Sequence, residues 1–400
     1  MAKRGLTAGK ASARFARLGC MIKRIRGIAF AVLCAVSVQA ELPVYSEITS
    51  GLPKVVSGTL HRYKVKSEYL KDDITVDVWT PPAYQPDANE PCPVVYVHDG
   101  QNLFDAAFAF ANVAWDIDDK VAALVRRGTI ETPVVVGISN RGAKNLRAND
   151  YFPERALTYI PSEDRNKTKI FATCAAGFFG DEEAAFVAEE LKPLIDRLYH
   201  TDTAPSHTFA MGSSMGGLAS LYLMCEYPDV FGGAACLSTH WIGSLDLNAD
   251  YTMNDDPVCA TAILAYMDAR LPDSDTHKLY LDQGTTGWDA GYIKYEAVAR
   301  QIAMQHGYSE ENASLATYDA QGAGHNEWYW QQRVERPLQF LLGKETLSAE
   351  TTLTMMLPSD NLYINMLGIT YVTDNPCTLP SGVYIHAGRK VMIPCNGQGQ

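Results

Sequence analysis

The feature that most constrains the fold is a regular alternation of continuous apolar runs and helical patterns along residues 93–342. The runs at 93–97 and 133–138 are apolar at nearly every position, as expected of strands buried on both faces. Residues 181–199 instead carry apolar side chains at three- and four-residue steps, the period of an amphipathic helix. The alternation predicts an α/β fold, with a mostly parallel sheet and helices on both of its faces. Further strands are predicted at 207–211, 233–238, 277–281 and 314–318, and further helices at 112–127, 216–226 and 328–342.

The alternation stops near residue 343, and this change suggests a domain boundary. Ahead of the first buried run, residues 60–66 and 73–79 alternate with the period of two that marks half-buried strands. Beyond 343 the chain is rich in turn residues and β-formers, and residues 382–391 predict a tight hairpin. We therefore predict one large α/β domain at 41–345 and a small β-rich module at 346–400.

The first 40 residues differ from the rest of the chain in charge, since they hold eight Lys or Arg and no Asp or Glu. A short basic segment from Met21 leads into an apolar run at about 28–38, followed by the small-residue ending Val38-Gln39-Ala40. This is the layout of a secretory signal peptide. We predict a signal peptide at 1–40, with translation starting at Met21, and a bacterial protein that is secreted, periplasmic or on the cell surface. An uncleaved membrane anchor is the alternative.

The remaining chain is strongly acidic. Residues 41–400 hold 26 basic and 46 acidic side chains, a net charge of −20. This balance argues against nucleic acid or an anionic membrane as the main partner. The sequence contains no metal-ligand spacing, phosphate-binding loop or dinucleotide fingerprint. We therefore expect no metal and no cofactor, and a small molecule or oligosaccharide as the partner.

Seven cysteines follow residue 40, so they cannot all pair with one another. Five lie in apolar or loop contexts and are predicted to be buried thiols: Cys92, Cys174, Cys225, Cys236 and Cys259. Cys377 and Cys395 flank one short β segment and could form a disulfide if the protein is exported. Two separate thiols are the alternative.

A candidate nucleophile lies where a predicted strand turns into a predicted helix, at Gly212-Ser213-Ser214-Met215-Gly216. A tight strand-to-helix turn lifts the hydroxyl of the central residue, Ser214, to the carboxyl edge of the sheet. The glycines two residues to either side allow the close contacts of such a turn, and the helix N-terminus adds a positive dipole. The alternative is an ordinary strand-to-helix turn, but its position in the alternation favours a nucleophilic serine.

A second motif, His98-Asp99-Gly100-Gln101-Asn102, follows the first buried strand. Acyl transfer requires two backbone N–H groups aimed at the oxyanion that develops on the attacked carbonyl. We predict that Met215, the residue after the serine, supplies one of them and that Gln101 supplies the other. Taken alone, this motif would be a plain turn built on Asp-Gly.

The candidate base and acid follow the serine in the order acid, then histidine. Three histidines lie downstream of the acid candidates, and His325 is preferred over His306 and His386 because it sits on a glycine-rich loop after the last predicted strand. The acid should come from the loop after the preceding strand, where Asp282 and Asp289 compete. Asp289 is preferred because it lies further along the loop, with room to reach the histidine.

With these motifs in view, the chain resembles the esterase family that includes feruloyl and acetyl-xylan esterases, enterochelin esterase and S-formylglutathione hydrolase. The resemblance covers about residues 55–343. It implies an α/β-hydrolase fold, a Ser214–His325–Asp289 triad acting through an acyl-enzyme, and Gln101 and Met215 as oxyanion donors. The motifs that carry it are Pro81-Pro82-Ala83-Tyr84, His98 to Asp105, Trp115-Asp116, Val135 to Ile138, Gly212 to Gly217, Tyr227 to Phe231, and Gly324-His325-Asn326-Glu327.

Four side chains near the predicted mouth of the site are candidate substrate contacts: Trp115, His240, Trp241 and Trp288. The three tryptophan rings could stack on a sugar or a feruloyl group, and aromatic core packing is the alternative. His240 could shape substrate choice, and a surface histidine after a strand is the alternative for it. The segment beginning Ser238-Thr239-His240-Trp241 departs from the family, whose members tend to have Ser-Pro and an aromatic pair there. The module at 346–400 resembles the short β tails of proteins secreted by the type IX route, and a glycan-contact module is its alternative.

These observations predict a secreted serine carboxylic-ester hydrolase that acts on acylated plant polysaccharides or their fragments, through feruloyl or acetyl esters. Within enzymes, the alternative is an esterase of siderophores or peptide conjugates, or an acyltransferase that excludes water. The alternative from another class is a non-catalytic glycan-binding protein built on the same fold. An intact serine, acid and histidine favour the enzyme over this last possibility.

Overall fold

The computed structural model describes residues 42–344 and four short strands between 362 and 393. The predicted signal peptide lies outside the described residues, as do Cys377 and Cys395. The strands of the main sheet are β1 Tyr45–Ile48, β2 Thr59–Ser67, β3 Asp72–Thr80, β4 Val94–His98, β5 Val134–Ile138, β6 Thr208–Ser213, β7 Gly233–Leu237, β8 Lys278–Gly284 and β9 Leu315–Ala320. The helices are α1 Ile117–Arg127, α2 Arg147–Tyr151, α3 Ile170–Thr173, α4 Gly180–Ala185, α5 Lys192–Leu198, α6 Met215–Glu226, α7 Pro257–Arg270, α8 Trp288–Gln305, α9 Glu327–Arg333 and α10 Glu335–Leu342.

The main sheet has nine strands in the order β1-β2-β3-β5-β4-β6-β7-β8-β9. Strands β1, β2 and β3 are antiparallel to their neighbours, and the six strands β4 to β9 run parallel to one another. This topology confirms the predicted α/β fold with a mostly parallel sheet. Because parallel strands all end at one edge, the loops that follow β6, β7, β8 and β9 come together there.

Both faces of the sheet are buried, and neighbouring residues of one strand point to opposite faces. On β4, Val94 and Tyr96 belong to one apolar core and Val95 and Val97 to the other. The first core is completed by α4 to α8 and the second by α1, α9 and α10. Helix α6 is buried over all but its last residue, as expected of a helix that is apolar on every side.

Three predicted helices differ in detail from those observed. The helix predicted at 112–127 begins at Ile117, after Asp116 in a left-handed conformation (φ 53°). The helix predicted at 181–199 contains a π-helical turn, Phe186–Leu191, just before Pro193, which has no N–H to continue the α-helical bonding. The segment 328–342 forms two helices, α9 and α10, separated at Val334.

The carboxy-terminal strands are β10 Leu362–Asn365, β11 Thr370–Val372, β12 Gly382–His386 and β13 Arg389–Ile393. They form an antiparallel sheet in the order β11-β10-β12-β13, and β12 and β13 are the two arms of the predicted hairpin. The five cysteines predicted to be buried thiols are all buried and unpaired.

Candidate active site

The turn between β6 and α6 holds Ser214 in a backbone conformation that non-glycine residues seldom adopt, with φ 57° and ψ −124°. The turn is also very tight. A Cβ atom added to Gly212 would lie 2.4 Å from the Gly216 carbonyl oxygen, a distance that no real side chain tolerates. The turn therefore requires glycine at position 212. This turn presents the Ser214 side chain at the carboxyl edge of the sheet.

His325, on the loop between β9 and α9, links Ser214 to a carboxylate. Its Nε2 lies 2.8 Å from Ser214 Oγ, and its Nδ1 lies 2.5 Å from Asp289 Oδ1. Because a carboxylate only accepts hydrogen bonds, the Nδ1 proton lies toward Asp289, and Nε2 is left to accept the hydroxyl proton of Ser214. The structure thus brings together the three side chains predicted as nucleophile, base and acid.

The Asp289 carboxylate is fully buried at the first turn of α8 and accepts three hydrogen bonds. Besides His325 on Oδ1, it receives the Ser238 hydroxyl at 2.6 Å and the Gly284 N–H at 2.7 Å on Oδ2. Burial alone would raise the pKa of Asp289, but the hydrogen bond and charge of His325, with the other two donors, hold it below its usual value. Asp289 therefore stays ionised beside the histidine.

Asp282, the other acid candidate, lies on β8 and has a different hydrogen-bond partner. Its carboxylate accepts two hydrogen bonds from the Arg333 guanidinium, each 3.0 Å long, whereas the His325 ring bonds to Asp289 and Ser214. Both members of this ion pair are buried. The geometry therefore favours Asp289 over Asp282 as the partner of the histidine.

Three aromatic rings surround the His325 imidazole. The centroids of Trp330, Tyr292 and Trp288 lie 5.0, 5.4 and 5.5 Å from that of His325. Trp330 and Tyr292 meet the imidazole edge to face, and only 6% of the His325 side chain is exposed. This packing fixes the plane of the ring and excludes water from most of it.

Gln101 lies on the loop after β4, and Met215 is the first residue of α6 after β6, so both backbone N–H groups are at the same edge of the sheet as the serine. In the part of the chain that the structure describes, neither the Gln101 nor the Met215 N–H donates to another residue. The loop is fixed through Asp99, which adopts φ 60° and binds Arg147 through two hydrogen bonds of 2.6 and 2.8 Å. Burial would raise the pKa of Asp99, but the Arg147 guanidinium holds it low. Both predicted oxyanion donors are thus available.

Three of the four predicted substrate contacts are wrong. Trp115 and Trp241 have no exposed surface, and His240 is 1% exposed. Trp115 packs against Trp330 in the second core, and Trp241 donates its indole N–H to Glu296. Because these rings face the interior, they present no surface on which a substrate could stack.

His240 is buried with both ring nitrogens paired, to the Tyr292 hydroxyl at 2.6 Å and the Ser244 carbonyl at 2.9 Å. Burial lowers the pKa of His240 to about 3, so the imidazole is neutral. Its partner Tyr292 is the ring that meets His325 edge to face. Only Trp288 of the four predicted contacts is partly exposed, and it lies beside the histidine.

Two residues at the site were missed by the sequence analysis. Ser238, after β7, and Arg333, at the end of α9, are both buried and connect Asp289 to Asp282. Neither belongs to a motif with a fixed spacing from Ser214, so their proximity depends on the fold. A serine directly after a buried strand was the one available signal for Ser238.

Within residues 42–344, no group of three or more His, Cys, Asp or Glu side chains is placed to hold a metal ion. Nor does any described helix combine the length and apolar character needed to cross a membrane.

Several known proteins are similar to this chain in sequence or in structure. Over 279 residues, the chain is 22% identical to the uncharacterized protein YbbA of Bacillus subtilis (strain 168), covering 70% of this chain and 96% of YbbA. The enterobactin esterase FES of Shigella flexneri, solved with enterobactin, has a TM-score of 0.50 at 16% identity. That alignment covers 72% of this chain but only 60% of FES. A ferulic acid esterase has a TM-score of 0.49 at 17% identity, over 72% of this chain and 98% of its own.

At 16% identity, the FES structure shows a shared fold and no more. The family match goes further, because the model of the Esterase family, described as "Putative esterase", matches residues 67–341, more than half of the chain. The match contains β3 to β9 and the whole Ser214–His325–Asp289 arrangement. The chain belongs to the Esterase family.

Proposed function

We propose that this protein is a serine carboxylic-ester hydrolase with Ser214 as its nucleophile. The observation that carries the proposal is the continuous chain of hydrogen bonds from Ser214 Oγ through His325 to the buried Asp289. Membership of the Esterase family supports the same activity. The left-handed turn at Ser214 adds support, since a nucleophile presented on a tight strand-to-helix turn is typical of ester-cleaving enzymes.

The reaction begins when Ser214 Oγ attacks the ester carbonyl carbon and its proton passes to His325 Nε2. The carbonyl oxygen becomes an oxyanion, which the Gln101 and Met215 N–H groups stabilise. The imidazolium then gives its proton to the leaving alkoxide, and the ester C–O bond breaks to leave an acyl-enzyme. Asp289 holds the imidazole in the required tautomer and stabilises its positive charge throughout.

Water completes the cycle by the same steps. His325 removes a proton from a water molecule, whose oxygen attacks the acyl carbon and forms a second oxyanion. Collapse of this intermediate returns the proton to Ser214 Oγ and releases the carboxylic acid. The proton that leaves Ser214 in the first half of the cycle is thus restored in the second half, and the free enzyme is regenerated with water as the only further reactant.

A groove beside Trp288 is the proposed site for the acyl group of the ester. It has a volume of about 850 Å³, within the range of small-molecule sites, and lies between the start of α8 and the segment at 251–255. Trp288 joins the groove to the catalytic side, since its ring lies 5.5 Å from His325 and its indole N–H donates to the Tyr251 carbonyl. The lining is mostly apolar or small: Ile242, Met253, Trp288, Ala290, Gly291, Ile293 and Ala297.

The proposed substrates are feruloyl or acetyl esters of plant polysaccharides or their fragments, which the exported protein would meet outside the cell. An apolar groove with a partly exposed indole suits an aromatic acyl group. Lys294 and Asp255, which both line the groove, form an ion pair of 2.5 Å whose charges cancel, and this favours an uncharged acyl group. The amino-terminal sequence supports export.

The test is hydrolysis of a small panel by the wild type and by Ser214→Ala, with p-nitrophenyl acetate, methyl ferulate, acetylated xylan and a catecholate siderophore ester. We expect hydrolysis of at least one member by the wild type and its loss in the variant, and the preferred member identifies the substrate class. A folded wild type that cleaves none of them, or a variant that is equally active, would contradict the proposal.

A further inference from the structure

A second layer of buried polar groups stands behind Asp289. The Ser238 hydroxyl lies 2.6 Å from Asp289 Oδ2, and Arg333 Nη2 lies 2.7 Å from the same hydroxyl oxygen. Arg333 in turn binds both oxygens of Asp282. Asp282, Asp289 and Ser238 have no exposed surface and Arg333 is 5% exposed, so water does not compete for these bonds.

The direction of each hydrogen bond in this layer is determined by chemistry. A guanidinium can only donate, so the Ser238 oxygen accepts from Arg333. The hydroxyl then has one proton left to donate, and the ionised Asp289 is the acceptor within reach. Arg333 therefore sets the orientation of the Ser238 hydroxyl, and it does so with a positive charge that Asp282 neutralises.

The backbone also holds Ser238 in place. Its φ is 42°, in the left-handed region that serine seldom enters, and its N–H donates to the Asp282 carbonyl at 2.8 Å. The preceding residue, Leu237, accepts the Ser214 N–H at 2.8 Å. One short segment after β7 thus touches both the turn that presents the nucleophile and the carboxylate that orients the base.

We infer that Ser238 and Arg333 are positioning residues for the ester hydrolysis proposed above, on which this inference rests. Arg333 orients the Ser238 hydroxyl, and that hydroxyl holds Asp289 Oδ2 so that Oδ1 faces His325 Nδ1. Neither residue touches the reacting atoms. Asp282 contributes to the same arrangement because it keeps Arg333 ionised and in place. The role of Asp282 is therefore distinct from that of Asp289.

The inference is tested with Ser238→Ala and Ser238→Gly in the full chain. Both remove the hydroxyl, but glycine adopts a positive φ without strain, so the pair separates loss of the hydroxyl from loss of the backbone conformation. Ser244→Ala is the matched control, because it removes a buried hydroxyl that has no hydrogen-bond partner. Arg333→Met is compared with Arg336→Met, which removes an exposed arginine three residues away.

We expect kcat/KM for p-nitrophenyl acetate to fall about tenfold in both Ser238 variants and in Arg333→Met. Without the Ser238 donor, Asp289 concentrates more negative charge on Oδ1 and stabilises the imidazolium, so the acid limb of the kcat/KM profile should move up by about half a pH unit. Ser244→Ala and Arg336→Met should have the wild-type kcat/KM and the wild-type acid limb of the pH profile. Thermal unfolding identifies any variant that is not folded.

A folded Ser238→Gly with the wild-type rate and acid limb would overturn the inference, since only the backbone of Ser238 would then matter. A rate loss without a shift of the limb would also overturn it, because general loosening of the site explains that result. If Ser214→Ala is as active as the wild type, the proposed function fails and this inference fails with it, and the Ser214 variant distinguishes the two failures.

Discussion

Asp282 accepts two hydrogen bonds of 3.0 Å from Arg333, although it lies only seven residues from the carboxylate that binds His325. Asp282, on β8, and Asp289, in the first turn of α8, therefore have different partners. The separation predicts different consequences for their removal.

We expect Asp289→Asn to lower kcat about 10⁴-fold, because an amide at this position leaves the histidine in the wrong tautomer. Asp282→Asn should reduce kcat less than a hundredfold but lower the free energy of unfolding by about 3–5 kcal/mol, since it leaves Arg333 as an unpaired buried charge. Kinetics and urea unfolding of the two variants measure both effects. A 10⁴-fold loss in Asp282→Asn with unchanged stability would reverse the assignment.

The glycine at 212 provides a test of the serine turn. In Gly212→Ala the new Cβ would meet backbone atoms of Gly216 at 2.4–3.0 Å, so we expect several kcal/mol of destabilisation or no folded protein. Gly291→Ala is the matched control, because nothing lies within 4 Å of its Cβ and alanine is the better helix former by about 1 kcal/mol. It should raise the melting temperature. A stable, active Gly212→Ala would show that the turn is looser than described.

Glu296 predicts a pH dependence of stability. Burial raises its pKa from 4.5 to about 7, against the opposing effects of Arg300 and the Trp241 indole N–H. A carboxyl whose pKa is higher in the folded state contributes stability below pH 4.5, and this contribution is lost as the pH rises toward 7.

The Glu296→Gln variant isolates this effect. We expect the variant, relative to the wild type, to gain on the order of 2 kcal/mol between pH 5 and pH 8, since the neutral amide has no proton to lose. Urea unfolding at the two pH values gives the difference. If the two proteins lose stability equally across this range, Glu296 does not carry the titration.

The fold and the core of the site could be predicted from the sequence because each depends on local patterns. Apolar runs gave the parallel strands, and short motifs gave Ser214 and His325 at the ends of β6 and β9. The orientation of a ring cannot be obtained in this way. Trp241 and His240 follow a strand just as a surface residue would, but Glu296 and Tyr292, which pair with them, lie 55 and 52 residues further along the sequence.

Contacts between residues far apart in the sequence explain why the sequence analysis missed two residues of the site. Ser238 and Arg333 are 95 residues apart and meet only once β7, β8 and α9 are assembled. Their contact leaves no period or spacing in the sequence. The helix predicted at 328–342 illustrates the same limit, since its apolar pattern continues through the break at Val334.

The groove beside Trp288 can be tested with two residues of α8 that are equally exposed. Ile293, 40% exposed, lines the groove, whereas Val298, 41% exposed, does not. We expect Ile293→Asp to raise KM for methyl ferulate about tenfold, because a charge in the groove must lose its hydration when the aromatic group binds. Val298→Asp should leave KM unchanged, and both should hydrolyse p-nitrophenyl acetate normally. Equal effects of the two variants would place the acyl group elsewhere.

The most direct test of the central claim is the mass of the protein after brief treatment with a fluorophosphonate, which phosphonylates an activated serine hydroxyl. Release of fluoride leaves the phosphonyl group on the oxygen that attacked it, so the modified peptide identifies the nucleophile. We predict one adduct per chain in the wild type, on the peptide that contains Ser214, and none in Ser214→Ala. An unmodified wild type, or an adduct on a different residue, would contradict the account.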